Sequence, residues 1–181
     1  TPDQVAEYEA LGARRASREP LQHITGSAPF YRLELAVGPG VFVPRPETEL
    51  LVEEALKVLP ARTNSATGQL RIVDLCTGSG AIAAAVKSEL PNAQVFAVEL
   101  SEDAIPYTRK NLEPLGVHLV QGDALTALPE LAGTCDAGLS NPPYLPPANG
   151  PADPEAALHD PDMALYGGGE DGEKGYADGT G

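Results

Sequence analysis

Four apolar runs, separated by helix-like stretches, constrain this chain more than any other feature. Residues 70–75 form a continuous apolar run of the kind seen in buried parallel strands. An alanine-rich stretch follows over 80–90 and is ended by Pro91. Residues 94–100 read as a second strand. Ser101 then caps a helix through about residue 112. Residues 117–120 are the third strand. A short helical stretch over 124–131 leads to a fourth strand over 136–140. Strand and helix in alternation predict an α/β fold, a Rossmann-like, doubly wound and mostly parallel sheet.

The flanks read differently. Residues 1–19 look helical, with Val5, Tyr8 and Leu11 on one side, and are too short to be a domain. Residues 30–37 alternate as a half-buried strand. Gly38-Pro39-Gly40 turns and Val41-Phe42-Val43 returns, which predicts a β-hairpin. Pro44 to Glu49 open a helix running to about residue 59, with Pro46 suited to its first position and Glu47 and Glu49 near its positive end. Leu51, Val52, Ala55, Leu56 and Leu59 form its apolar stripe. Residues 60–69 and 145–181 read as loop.

Charge narrows the partners. The net charge of −14 repels phosphate backbones, so direct binding of nucleic acid is not expected. The basic trio Arg14, Arg15 and Arg18 reads as a solvated helix face. There is no membrane-spanning run and no signal-peptide pattern, which predicts a soluble cytoplasmic protein without membrane partners. Cys76 and Cys135 read as buried, reduced thiols. His23, His118 and His159 are too scattered for a metal site.

Ser140-Asn141-Pro142-Pro143-Tyr144 ends the fourth strand. Two prolines cannot donate to a strand ladder, so they stop the strand and stiffen the chain at the sheet's carboxyl edge, where such sheets bind ligands. One carboxamide, two backbone carbonyls and a ring then face an acceptor that carries N–H groups. That set points to a transferase acting on nitrogen. The first strand ends at Asp74, followed by Leu75-Cys76-Thr77-Gly78-Ser79-Gly80 at a helix start. Glycines let backbone approach a ligand, and the helix end offers free N–H groups. Glu99 ends the second strand at about the twenty-residue distance suited to a ribose diol. Asp123 ends the third and can accept from an adenine amino group. Ala124 beside it is small for an adenine shelf, so Leu100 or Leu125 is expected to cover the ring.

Gly78-Ser79-Gly80-Ala81-Ile82-Ala83 also fits a dinucleotide fingerprint, so an NAD-type oxidoreductase is the competing reading. Three features favour S-adenosylmethionine instead. Asp74 lies where it can steady the loop or meet a cation. Asp123 offers an adenine partner. Asn141 to Tyr144 supply a nitrogen-acceptor site that hydride transfer does not need.

These residues together resemble the HemK/PrmC family, protein-(glutamine-N5) methyltransferases that modify class I peptide chain release factors. The resemblance covers about residues 19–172. It rests on Glu19 to Gly26, on Val43-Pro44-Arg45-Pro46-Glu47-Thr48-Glu49-Leu50, on Val73 to Gly80 and on Ser140 to Tyr144. Ala164-Leu165-Tyr166-Gly167-Gly168-Gly169 with Asp171-Gly172 is similar to a stretch just beyond. Asn-Pro-Pro-Tyr alone is shared with adenine-N6 and ribosomal methyltransferases, and the Pro44–Glu49 signature narrows the choice. The family usually has Gly where Cys76 stands. Its N-terminal helical domain is mostly absent here, and later strands of its sheet are missing.

The resemblance implies 1–28 as a remnant of the helical substrate-binding domain, 29–44 as a hairpin linker and 45–181 as a shortened methyltransferase domain. It implies S-adenosyl-L-methionine as cofactor, S-adenosyl-L-homocysteine as product and class I release factors as partners. Asp74, Cys76, Thr77, Gly78, Ser79, Gly80, Glu99, Leu100, Asp123, Ala124 and Asn141 would hold the cofactor. Asn141, Pro142, Pro143, Tyr144 and Arg45 would hold the substrate, with Asn141, Pro142 and Tyr144 catalytic. Arg45 either lines the pocket or pairs with Glu49. A glutamine amide nitrogen is a poor nucleophile, and no strong base is evident, so catalysis would rest on positioning. The remaining alternatives are another amino-nitrogen methyltransferase and a module that binds cofactor without transferring a methyl group.

Overall fold

The computed structural model describes residues 1–62, 68–146, 151 and 153–167. Helix α1 (Pro2–Ala16) starts in a capping box, in which Thr1 accepts from the Gln4 amide and the Gln4 side chain accepts from the Thr1 amine. None of its residues is buried, and Val5, Tyr8 and Leu11 face outward. Its basic end is not merely a solvated face. Arg14 pairs with Glu19, and Arg15 reaches Glu155 at 2.6 Å.

Helix α2 (Leu21–Thr25) stops at Gly26, whose φ of 78° suits a residue without Cβ. Strands β1 (Ser27–Phe30) and β2 (Leu33–Ala36) follow as an antiparallel hairpin, with Phe30 opposite Leu33. The expected hairpin therefore exists, but in a different register. Tyr31 takes the left-handed turn position at φ 55° and splits the run over 30–37. Residues 41–43 do not return as a strand. They are apolar because Val37, Val41 and Val43 bury their side chains against Ala104 beneath Tyr107.

A single 3-10 turn, Pro46–Thr48, leads into α3 (Glu49–Val58), and a second 3-10 turn follows over Leu59–Arg62. Then come β3 (Arg71–Leu75), α4 (Ala81–Glu89), β4 (Gln94–Glu99), α5 (Ile105–Leu112), β5 (His118–Gln121) and β6 (Ala137–Ser140). The four strands are parallel in the order β5-β4-β3-β6, so β3 is interior between β4 and β6. Chain order reverses direction between β3 and β6, which opens a crevice at their carboxyl ends.

Ile72, Asp74, Val95, Ala97 and Leu139 form a buried sheet face that shares a core with α4, Val52 of α3 and Phe30 of the hairpin. The alternate residues Val73, Leu75 and Phe96 are only half-buried. The two thiols, Cys76 and Cys135, are free and half-buried rather than fully buried.

Three further expectations are corrected. Helix α5 begins at Ile105, not at Ser101, although the Ser101 hydroxyl does accept from the Ala104 amide at 3.3 Å. Residues 124–131 are turns with one 3-10 turn at Pro129–Leu131, because Pro129 lacks the N–H a longer helix needs. The segment after Tyr144 is not all loop. It carries α6 (Pro154–His159), capped by Asp153, and α7 (Asp162–Leu165). Residues 168–172 of the family-like stretch lie outside the described residues.

Candidate active site

The loop between β3 and α4 is built around Asp74, which has 0% exposure. One carboxylate oxygen accepts from the Thr77 hydroxyl at 2.5 Å and from the Ala83 amide at 3.1 Å. The other makes no hydrogen bond. Burial pushes this carboxyl up to about 7, against the lowering effect of its two donors. Asp74 therefore steadies the loop and does not line the cavity. Gly80 does not line it either. Its φ of 84° and its contact with Leu112 leave no room for a Cβ. Of the expected cofactor set, these two stand behind the loop rather than on the cavity's surface.

Cys76, Thr77, Gly78 and Ser79 do line the cavity. Cys76 has φ 57°, a left-handed conformation that is uncommon for a residue with Cβ. Burial, then the nearby Glu99 charge, pushes its thiol pKa up, which disfavours the thiolate.

Glu99 is 7% exposed and faces the same cavity. Its two oxygens accept from the Gly78 amide at 2.7 Å and the Ser101 amide at 2.8 Å. Each oxygen keeps a free lone pair for a further donor. Leu100, Asp123 and Ala124 also line the cavity, and Asp123 accepts from the Leu125 amide. Leu125 is 91% exposed and outside the lining, so Leu100 alone of the two can cover a ring there.

Two supporting residues escaped the sequence reading. The Thr108 hydroxyl donates to the Gly78 carbonyl at 2.6 Å, with the Ala104 carbonyl also in reach at 2.9 Å. Asn111 donates to the Ser79 carbonyl at 2.8 Å and to the Ala36 carbonyl at 3.0 Å, and accepts from the Ala36 amide at 2.7 Å. They lie three apart on α5, hence on one helix face. That spacing was the available signal.

Asn141, Pro142, Pro143 and Tyr144 line the same cavity, whose volume is about 570 Å³. Ser140 anchors the motif by donating to the Leu75 carbonyl at 2.8 Å. The Asn141 carboxamide is exposed and makes no hydrogen bond to any described residue. It is therefore not spent on an Asx turn. Tyr144 is 59% exposed, so its ring is presented rather than packed.

After Tyr144 the chain turns back. Leu145 and Tyr166 form a parallel bridge, with the Leu145 amide on the Leu165 carbonyl at 2.9 Å. This places Pro161, Met163, Ala164 and Leu165 along the cavity. Arg45 lines the cavity as well, but it pairs with Asp160 at 2.6 Å and not with Glu49. Glu49 instead accepts from the Tyr31 amide at 2.9 Å. No group of His, Cys, Asp and Glu suited to a metal ion occurs among the described residues.

A methyltransferase domain family matches residues 72–158, and a PrmC N-terminal domain family matches residues 1–26. The release factor glutamine methyltransferase of Streptomyces coelicolor is 56% identical over 168 residues, which cover 92% of this chain and 58% of that protein. Over most of its length the chain is therefore similar to release factor glutamine methyltransferases. The corresponding protein of Bifidobacterium longum is 47% identical over 183 residues, covering 95% of this chain and 61% of its own length. The chain thus spans about three fifths of the length of these two relatives (58% and 61%). A 4-amino-L-phenylalanine/4-methylamino-L-phenylalanine methyltransferase of Streptomyces pristinaespiralis is 42% identical over 157 residues, 87% of this chain and 54% of that protein.

Proposed function

We propose that this chain carries the cofactor and acceptor sites of an S-adenosylmethionine-dependent methyltransferase that modifies the side-chain nitrogen of a glutamine in class I peptide chain release factors. The observation that carries it is one cavity lined by two kinds of group. The glycine-containing loop and Glu99 line it together with Asn141, whose carboxamide bonds no described residue. The relatives named above are all methyltransferases, which leaves the nicotinamide reading without support.

The cavity suits the cofactor. Glu99 is held by backbone amides and keeps acceptor capacity for a ribose diol. Leu100 offers an apolar flank, and Asp123 a carboxylate for an amino group. When bound, the sulfonium supplies an electrophilic methyl group. The chain's own residues position the acceptor. The Asn141 carboxamide oxygen and the Pro142 carbonyl each accept one amide N–H, which orients the nitrogen lone pair toward the loop. They stabilise positive charge growing on nitrogen more than they stabilise the neutral amide, which is what lowers a barrier. Tyr144 lies against the amide plane. No described residue is needed as a strong base, because the proton can leave to solvent afterwards.

The same reading makes residues 1–28 part of a substrate-gripping segment and places the protein in the cytoplasm. The test uses labelled methyl donor and a release-factor domain bearing its glutamine. Asn141→Ala should slow methyl transfer by about 100- to 1000-fold, by analogy with loss of one oxyanion-hole donor, with S-adenosylhomocysteine affinity within a few-fold of the parent. A near-parental rate would refute the mechanism.

A second reading has one observation behind it, the relative named for 4-amino-L-phenylalanine. Phe42, Tyr144 and Met163 along the cavity would accept an aromatic ring. Methylation of the free arylamine in place of the release-factor domain would favour it.

A further inference from the structure

One side-chain contact joins the two halves of the cavity's acceptor end. Arg45 comes from the segment between the hairpin and α3. Its guanidinium lies over the Phe42 ring at 4.8 Å, and its Nη2 donates to Asp160 Oδ2 at 2.6 Å. The partners are unequally placed. The Asp160 side chain is 1% exposed and the Arg45 side chain 37%. A carboxylate that deep is costly unless a cation meets it. Burial raises the Asp160 pKa, and Arg45 is the largest influence opposing that rise, ahead of His23.

Asp160 stands immediately before Pro161, the first of the wall residues Pro161, Met163, Ala164 and Leu165. The far end of this wall is fixed separately. The Leu145 amide bonds the Leu165 carbonyl at 2.9 Å, and the Gly167 amide bonds the Leu145 carbonyl at 3.1 Å. A Cβ on Gly167 would collide with the Pro143 carbonyl, so wall and acceptor motif are in direct contact there. The wall thus has two attachments. One is backbone pairing beside Tyr144, and the other is the Arg45–Asp160 pair.

We propose that the Arg45–Asp160 pair is a positioning clamp that sets the gap between Phe42–Arg45 and Pro161–Leu165, and so how deeply an acceptor side chain reaches toward Asn141. The proposal rests on the function proposed above and deepens it. Arg45 acts through Asp160 on the wall and takes no part in the reaction itself. The guanidinium is suited to this because one of its nitrogens donates to the carboxylate while its face stacks on Phe42. Glu99 and the Cys76–Ser79 loop make no hydrogen bond to either partner, so cofactor affinity should be indifferent to the clamp.

The experiment compares Arg45→Met, Arg45→Lys and the apolar pair Arg45→Met with Asp160→Leu against the parent. It measures S-adenosylhomocysteine affinity by calorimetry, thermal midpoint, and initial rates on a release-factor domain carrying Gln or, as a variant, the shorter Asn. Arg45→Met should raise the acceptor KM about tenfold or more, with cofactor affinity within twofold. It should also shrink the parent's preference for Gln over Asn. Arg45→Lys should recover part of the KM. The apolar pair should recover the thermal midpoint without recovering the Gln preference, since it removes the buried charge but not the need for a fixed gap. If the apolar pair restores both, the contact is only structural and the proposal falls. It also falls if Arg45→Met leaves acceptor KM and preference unchanged, or weakens cofactor binding equally. A parent that binds S-adenosylhomocysteine yet never methylates the glutamine refutes the functional reading itself.

Discussion

Replacing Cys76 by glycine should stabilise this protein relative to replacing it by alanine, although both remove the thiol. The reason is the φ of 57° at a residue that carries a Cβ. A left-handed Cβ costs about 1–2 kcal/mol from its clash with the following carbonyl. Glycine removes that cost but returns about 0.4–1 kcal/mol by making the unfolded chain more disordered. Alanine keeps the strain. The difference between the two variants is therefore about 0.5–1 kcal/mol, which corresponds to roughly 1–4 °C of midpoint for a chain of this size. Against the parent, glycine loses the packing of a half-buried CH2–SH group, worth a fraction of the ~0.8 kcal/mol of a fully buried methylene. It should come out near neutral or slightly stabilised. The assay is urea unfolding of parent, Cys76→Gly and Cys76→Ala, read as midpoints at constant slope. An alanine variant as stable as the glycine variant would show that the loop is not strained at this position.

Asp74 gives a pH prediction whose sign is opposite to that of a salt-bridged carboxylate. Its folded pKa is raised from 3.8 to about 7, so the folded state holds the extra proton and stability falls as pH rises across that window. Asp74→Asn should flatten that part of a midpoint-versus-pH curve, and an unchanged slope would rule Asp74 out as its cause. Asn111→Ala removes three hydrogen bonds and leaves part-buried backbone groups unpaired. It should cost about 2–3 kcal/mol, and calorimetric unfolding within 0.5 kcal/mol of the parent would contradict the bracing role given to it.

What the sequence made legible was whatever repeats or punctuates locally. The strands β3, β4, β5 and β6 announce themselves as short apolar runs between helix-like stretches. Their order, β5-β4-β3-β6, is one that right-handed crossovers allow but local sequence does not single out. The glycine-containing loop and Asn141 to Tyr144 were legible because glycine and proline have few uses other than the backbone turns and stops they serve here. The hairpin register was not. Tyr31 makes the turn in a conformation that glycine or asparagine would have advertised, and Val41 and Val43 are apolar for packing rather than pairing. Helices α6 and α7 were missed because they are too short to show periodicity, and α7 is held by tertiary bonding between Leu165 and Leu145. The Arg45 partner lies 115 residues away, and no local pattern points from Arg45 to Asp160.

The Asn111 carboxamide grips Ala36 at the end of the hairpin and Ser79 in the ligand loop at the same time. Two segments far apart in sequence are thereby tied into one cooperative opening unit. The Ala36 amide proton, outside the cavity, is shielded by the group that also fastens the loop. Its hydrogen-exchange rate should therefore track the loosening of the loop. Anything that tightens the loop from within the cavity should slow exchange at Ala36, which makes that single amide a remote gauge of occupancy.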